Sequence, residues 1–314
     1  MNELTTHIQD EIQKIIIGKD AIIKKVFMAI LAQGHVLLED VPGVGKTTMA
    51  LAFAKVLGLD TKRVQFTADT LASDIVGFSV YDKSTGELEY KPGAVMTNLL
   101  LADEINRTSS KTQAALLEAM EEKQVTIDGL THALPDPFVV LATQNPVGSA
   151  GTQMLPNSQL DRFIIKLSMG YPDINSQIDI MRDRHHSNPL ENIVQVTNPQ
   201  TLGELIEGVT QVHIADAVYE YTSQLVEATR RHPLVQLGVS PRGALALCRV
   251  VKAYAYLEGR DFVSPEDIGA VFEDVCAHRL LLAAKAKLHE IDAAKILKEI
   301  QGEIKLPTVR DFKI

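Results

Sequence analysis

Along the first half of the chain, short apolar runs alternate with segments whose apolar residues recur at helical spacing. The runs are His35 to Leu38, Arg63 to Thr67, Leu99 to Ala102 and Phe138 to Thr143, and helical patterns cover 46–57 and 111–123. Runs that are apolar throughout, and not at every second position, predict strands buried on both faces. Their alternation with helices predicts a doubly wound α/β unit, a parallel sheet covered on each side. Two insertions interrupt it. Within Val125–Leu130 the pair Asp128-Gly129 sits between β-branched residues and predicts a hairpin before the run at 138. The stretch 79–93, SVYDKSTGELEYKPG, has the same strand-turn-strand pattern.

Beyond Tyr171-Pro172 the strand signals fade, and helices separated by breaks such as Ser187-Asn188-Pro189-Leu190 and Arg231-His232-Pro233-Leu234 are predicted. Ser240-Pro241-Arg242 and Ser264-Pro265-Glu266-Asp267 mark two helix starts, each with Ser at the cap and Pro at the first helical position. The second adds an acidic residue three positions after the cap. The expected division is an α/β unit over 1–172 and an all-helical unit over 173–314. The pattern of the C-terminal LPTVRDFKI does not distinguish a docked tail from a frayed one.

Composition narrows the function classes. With 46% hydrophobic and 23% charged residues in 314, the chain has the usual globular mix, which argues against disorder or a fibrous repeat. Lys plus Arg number 31 against 40 Asp plus Glu, a net charge of −9. The imbalance is spread evenly: 1–172 carries 15 basic and 20 acidic residues, and 173–314 carries 16 and 20. An acidic chain is poorly suited to gripping nucleic-acid backbones. Two cysteines, Cys248 and Cys276, read as small apolar residues in a reducing compartment. No apolar run approaches the ~18 residues of a membrane span, and MNELTTHIQDEIQKII resembles no leader, so a cytoplasmic location is expected.

The chemistry-bearing signals sit at the ends of the predicted strands. Asp40-Val41-Pro42-Gly43-Val44-Gly45-Lys46-Thr47-Thr48 lies between the first strand and a helix. Gly43 and Gly45 let backbone N–H groups wrap phosphate oxygens, and the helix N-terminus adds a favourable dipole. Lys46 is placed to neutralise β/γ-phosphate charge and Thr47 to offer a hydroxyl to Mg²⁺. The pattern departs from G-x-x-x-x-G-K-[ST] at its first position, where Asp40 stands. Leu99 to Ala102 ends in Asp103 and Glu104: the first can hold the magnesium shell, the second can polarise a water. Phe138 to Thr143 ends in Gln144-Asn145-Pro146, and Asn145 can bond both that water and the γ-phosphate. Arg162 follows Asp161, and Arg242 occupies a helix N-terminus, where positive charge is unfavourable unless an anion meets it.

Together GHVLLEDVPGVGKT (34–47), LLLADEINRTSSKTQAALLEAMEE (99–122), VLATQNP (140–146), LDRF (160–163) and SPRGALAL (240–247) closely resemble the MoxR family of AAA+ ATPases. The resemblance implies a P-loop α/β/α domain with a helix-2 insertion at 79–93, a hairpin at 125–137 before the sensor strand, and a helical lid. It makes Pro42 to Thr48 a nucleotide cradle with Lys46 and Thr47 as the Walker A pair. Asp103 and Glu104 become the Walker B pair, Asn145 sensor 1, Arg162 an arginine finger acting on a neighbouring subunit, and Arg242 sensor 2. Ile17-Gly18, just before the first predicted helix, matches the segment lining the adenine pocket. Also implied are ATP and Mg²⁺, a hexameric ring, and protein clients or partners with von Willebrand factor A domains. The work is expected to be maturation or activation of protein complexes, or cofactor or metal insertion, with nucleotide state moving the lid. The alternatives are a nucleic-acid-stimulated AAA+ motor or loader, disfavoured by charge, and a nucleotide-dependent scaffold, disfavoured by the complete site set. Three signals are set aside: the sequon Asn106-Arg107-Thr108, the pair His185-His186, and Ile75-Val76-Gly77-Phe78, which reads as a structural turn.

Overall fold

The computed structural model describes residues 3–41, 43–145, 155–183 and 189–308. Pro42, Pro146, His185-His186 and the end of the C-terminal tail lie outside the described residues. Helices α1 (Glu3–Gln13) and α2 (Asp20–Leu31) lead into β1 (His35–Glu39), α3 (Lys46–Leu57), β2 (Thr61–Gln65) and α4 (Ala72–Val76). A hairpin, β3 (Gly77–Asp82) and β4 (Glu87–Pro92), precedes β5 (Leu99–Asp103) and α5 (Ser110–Glu122). A second hairpin, β6 (Gln124–Ile127) and β7 (Leu130–Ala133), precedes β8 (Val139–Gln144), α6 (Asn157–Leu160) and β9 (Phe163–Leu167). Then come α7 (Ile174–Asp183), α8 (Pro199–Thr210), α9 (Asp216–Arg231), β10 (Val235–Leu237), α10 (Pro241–Leu257), α11 (Pro265–Cys276), β11 (Leu281–Leu282), α12 (Ala284–Leu288) and α13 (Ala293–Glu303).

The five-stranded sheet runs in the order β2-β5-β8-β1-β9, and every pairing in it is parallel. Successive side chains of a strand point to opposite faces, so the continuous apolar runs supply two cores. Val36, Leu38, Leu99, Leu101, Val139 and Leu141 face one side; Leu37, Leu100, Ala102, Val140 and Ala142 face the other. The second face is covered by α4 and α5. The first is covered by α1, α2 and α3, and its core continues without a break into Leu202, Leu225, Val250, Phe272 and Ile296 of the later helices. There α10 packs on α2 and α11 on β9. No helix among the described residues is long and apolar enough to cross a membrane.

Both insertions are hairpins, and the turn at Asp128-Gly129 has the pair of positive φ angles that its sequence suggests (51° and 82°). Gly77 starts β3 at φ 94°, where a Cβ would lie 2.4 Å from the Lys91 carbonyl oxygen, and Ile75 to Phe78, expected as a turn, is instead the direct junction of α4 with β3. Ser240 caps α10 by accepting from Gly243 N–H (3.0 Å), and Asp267 accepts from Ser264 N–H (2.7 Å) at the start of α11.

Four further expectations need correction. The run at Arg63 to Thr67 is β2, two residues earlier at 61–65, and it is a largely exposed edge strand, because its neighbour β5 pairs with it on one side alone. The strand β9 was not among the predicted runs, although Phe163, Ile164 and Ile165 are buried. An earlier helix, α1, precedes Ile17-Gly18, held by buried Ile8 and Ile12. The helical part also carries a short antiparallel pair, β10 with β11.

His35 opens β1 with its ring buried between layers. Nδ1 accepts from Val140 N–H (3.0 Å), which leaves Nε2 to donate to the Met120 carbonyl (3.1 Å). Burial pushes its pKa from 6.5 down to about 4. The unfolded chain therefore takes up a proton that the folded chain refuses as pH falls from 6.5 to about 4. Stability is expected to drop by about 3 kcal/mol from His35 alone across that window, read as the urea midpoint against pH. His35→Gln keeps hydrogen-bonding groups without titrating there and should flatten the dependence; an unaltered slope would contradict the assignment.

Candidate active site

The loop from β1 to α3 is shaped by Gly43 and Gly45 at φ 88° and 97°. A Cβ on Gly43 would meet nothing within 4 Å, so the backbone angle and not space demands glycine there. The helix starts at Lys46, where first-turn N–H groups have no partner inside the helix. Lys46 is buried, and its Nζ donates to the carbonyls of Asp40 (2.5 Å) and Val41 (3.3 Å). Burial lowers its pKa, and the charges of Asp40, Asp103 and Glu104 act against that.

β8, beside β1, and β5, beside β8, bring the other groups. Asp103, at the end of β5, accepts from Thr143 Oγ1 (2.6 Å) through Oδ1. Its Oδ2 accepts from Thr47 Oγ1 (3.4 Å) and from Arg63 Nη2 (2.8 Å) of the edge strand. Glu104 follows in the left-handed region, φ 57° and ψ 48°, a conformation that costs a non-glycine residue on the order of 1 kcal/mol. It is pinned there by its N–H on Thr143 Oγ1 (2.9 Å). Glu104 Oε1 accepts from Asn145 Nδ2 (2.9 Å), and Oε2 accepts from Gln65 Nε2 (2.8 Å) and Arg107 Nη1 (3.0 Å). Burial works to raise the Glu104 pKa, but the bonds from Asn145 and Arg107 and the Arg107 charge outweigh it and hold the group ionised. Asn145 is in turn held by Asn106, whose Nδ2 donates to the Asn145 carbonyl (3.1 Å). Buried Asn106 is thus a structural residue and not a surface acceptor for sugar.

Gly43, Gly45, Lys46, Thr47, Thr48, Asp103, Glu104 and Asn145 line one cavity of about 300 Å³. A cation, two carboxylates, an amide and a helix N-terminus converge there, which suits a polyanion and a water held against it. Val44 turns away and packs on the core. Ile17 and Gly18 form the turn between α1 and α2 and are not among the lining residues. Gly18, at φ 70°, instead lets the chain close on α7, where a Cβ would stand 2.1 Å from Ser176 Oγ.

Arg162 and Arg242 also lie outside the cavity lining. Both meet Glu121 near the end of α5: Arg162 Nε at 2.8 Å from Oε2 and Arg242 Nη2 at 2.9 Å from Oε1. The anion expected for an arginine at a helix start is, within this chain, that carboxylate. Burial works to raise the Glu121 pKa, and the two arginines overcome it and lower it.

Asp40, the departure from the usual phosphate loop, has a visible task. Its Oδ2 accepts from Ser168 Oγ (2.9 Å) and from the N–H groups of Met169 and Gly170 (the latter 2.8 Å). Glycine at that position leaves those donors without this partner. Sequence reasoning also missed Arg63, Gln65, Thr143, Asn106 and Glu121; of these, the polar Thr143-Gln144 ending of an apolar run was the one legible signal.

Residues 35–165 match the family model described as the ATPase family associated with various cellular activities (AAA), and 227–300 match that of the AAA lid domain. Fold and cavity therefore define an AAA-type ATPase, an enzyme that binds and hydrolyses ATP. More narrowly, the chain belongs to the MoxR family of AAA+ ATPases. It is 50% identical over 301 residues to YeaC of Bacillus subtilis, covering 96% of this chain and 94% of that one. It is 37% identical over 308 residues to the protein named Chaperone MoxR1 of Mycobacterium tuberculosis, covering 95% and 81%. A crystal structure of a protein from Cytophaga hutchinsonii assigned as an ATPase superposes with a TM-score of 0.90 at 37% identity, covering 97% of this chain and 95% of that one.

If the Asp40 carboxylate clamps the loop at 168–170, Asp40→Asn should destabilise the nucleotide-free protein by about 1 to 3 kcal/mol in urea unfolding. Asp40→Gly, which restores the common residue, should lose at least as much. Unchanged midpoints in both variants would show that these bonds contribute nothing.

Proposed function

We propose that this chain is a magnesium-dependent, ring-forming remodelling ATPase of chaperone type. In this reading 1–172 form the nucleotide unit and 173–314 the lid. The observation that carries it is the convergence of Lys46, Thr47, Asp103, Glu104 and Asn145 on one cavity. Lys46 exchanges its loop carbonyls for phosphate oxygens, and Gly43 to Thr48 supply the N–H cradle. Thr47 Oγ1 and Asp103, 3.4 Å apart, are hard oxygen donors of the kind Mg²⁺ takes, so the residues present fit the ion. They would hold it, and when bound it neutralises developing phosphate charge.

Glu104, ionised and oriented by Asn145, accepts the proton of the attacking water as that water meets the γ-phosphate. Asn145, bonded to Glu104, senses the phosphate at the same time. Arg162, outside its own cavity, is the group that a neighbouring copy's nucleotide meets, which supports a closed ring, hexameric by family resemblance, and Arg242 is sensor 2, which reports γ-phosphate occupancy to the lid. The same resemblance supports a cytoplasmic setting, a von Willebrand factor A domain partner, and work in maturation or activation of protein complexes or in cofactor or metal insertion. The net charge of −9 supports a protein client over nucleic acid.

Glu104→Gln should retain ATP binding while lowering turnover by about 100-fold or more, measured as nucleotide affinity and phosphate release. Undiminished release removes Glu104 from the reaction. Arg162→Ala subunits, poor ATPases alone, should regain turnover when mixed with Glu104→Gln subunits; no recovery at any ratio counts against a shared site. Duplex DNA at low salt should leave the rate unchanged, and stimulation would favour a nucleic-acid motor.

A further inference from the structure

The two arginines come from distant parts of the chain. Arg162 lies in the turn between α6 and β9, and Arg242 in the first turn of α10. Two like charges brought to one spot repel, and here a single carboxylate near the C-terminal end of α5 receives both. We propose that Glu121 is a positioning residue that gathers Arg162 and Arg242 into one paired surface, which meets the phosphates of a nucleotide held by a second copy of this chain. The inference rests on the shared-site reading of Arg162 above and adds Glu121 and Arg242 to it.

The backbone beneath the pair is built for the same end. Asp161, next to Arg162, accepts from Ser240 Oγ (3.0 Å), the cap residue of the helix that carries Arg242. Its Oδ1 also accepts from Arg279 Nε (2.7 Å). Arg279 is almost fully buried and donates in addition to the carbonyls of Phe163 (2.8 Å) and Ile164 (3.2 Å). Gly243 lets α10 close on that guanidinium: a Cβ there would stand 2.8 Å from Arg279 Cδ. The segments bearing the two arginines are thus clamped together from below by Asp161, Ser240 and Arg279. Glu121 completes the clamp at the exposed tips, where Arg162 and Arg242 keep 27% and 45% of their side-chain surface open.

Glu121 engages one nitrogen of each guanidinium, and among the described residues the other N–H donors of both remain available to a phosphate. Without that carboxylate, repulsion splays the tips and each must be re-ordered before it can bond a phosphate. Such misplacement affects turnover more than ground-state binding.

The test is Glu121→Gln, which keeps size and removes the charge. Its kcat should fall by about 10- to 100-fold with KM little changed. Mixed with Glu104→Gln subunits, it should regain turnover, because Glu121→Gln subunits contribute an intact Glu104 half and their neighbours an intact arginine pair. Recovery also shows that the variant folds. Turnover that is unchanged or faster overturns the proposal, the latter making Glu121 a brake. A loss not rescued by mixing also overturns it, placing the defect in the subunit's own cavity or fold. Arg162→Ala mixed with Glu104→Gln is the control. If that mixture fails, the shared site itself falls and this proposal with it; if it recovers and the Glu121→Gln mixture does not, Glu121 alone is rejected.

Discussion

The buried ammonium of Lys46 sets terms for everything around it. It lies at the start of α3, where the helix dipole opposes a positive charge, and it donates to two carbonyls of its own loop. The carboxylates of Asp40 and, at the end of β5, of Asp103 and Glu104 favour its charged form, yet Asp103 and Glu104 are themselves occupied by Arg63, Thr143, Asn145 and Arg107. A terminal phosphate answers several of these demands together. It gives Lys46 a charged partner and the helix N-terminus an anion, in a site that water alone serves less well.

The strands deliver that chemistry because they are parallel and adjacent. β1, β5 and β8 all end at the same edge, so the residue that follows each run arrives beside the others. The left-handed turn at Glu104 then swings its carboxylate toward Asn145, and Thr143 holds both the Glu104 N–H and the Asp103 carboxylate. One strand end thereby positions the ends of its neighbour. β8 and β5 are thus tied to each other twice beyond their ladder, by Thr143 to Asp103 and Glu104 and by Asn145 to Glu104.

The later helices do not hang freely from the α/β part. Their apolar core continues from the sheet face, α11 lies on β9, and Arg279 buries its guanidinium against the Asp161 to Ile164 backbone. A hinge inside the chain would have to expose that core and leave a buried cation short of partners, both costly. Asp40 marks a milder point of coupling, since it ties the phosphate loop to Ser168–Gly170, just before the chain leaves the sheet for α7.

Read on its own, the sequence determined the strands that are apolar on both faces, the glycine-shaped loop, the paired acids, both hairpins and the capped helix starts. Each of these rests on residues near one another in the chain, where spacing and local conformation carry the information. It was silent on β9 as a strand and misleading on β2, because burial of a strand depends on whether a neighbour flanks each side. Only the tertiary structure decided that Asp40 serves a loop about 130 residues away, that Asn106 braces Asn145, and that Glu121 draws together Arg162 and Arg242. The physical reason is the same in every case: a charged or polar side chain announces a need for a partner, but which partner answers is fixed by how distant segments pack, and that appears in no local pattern.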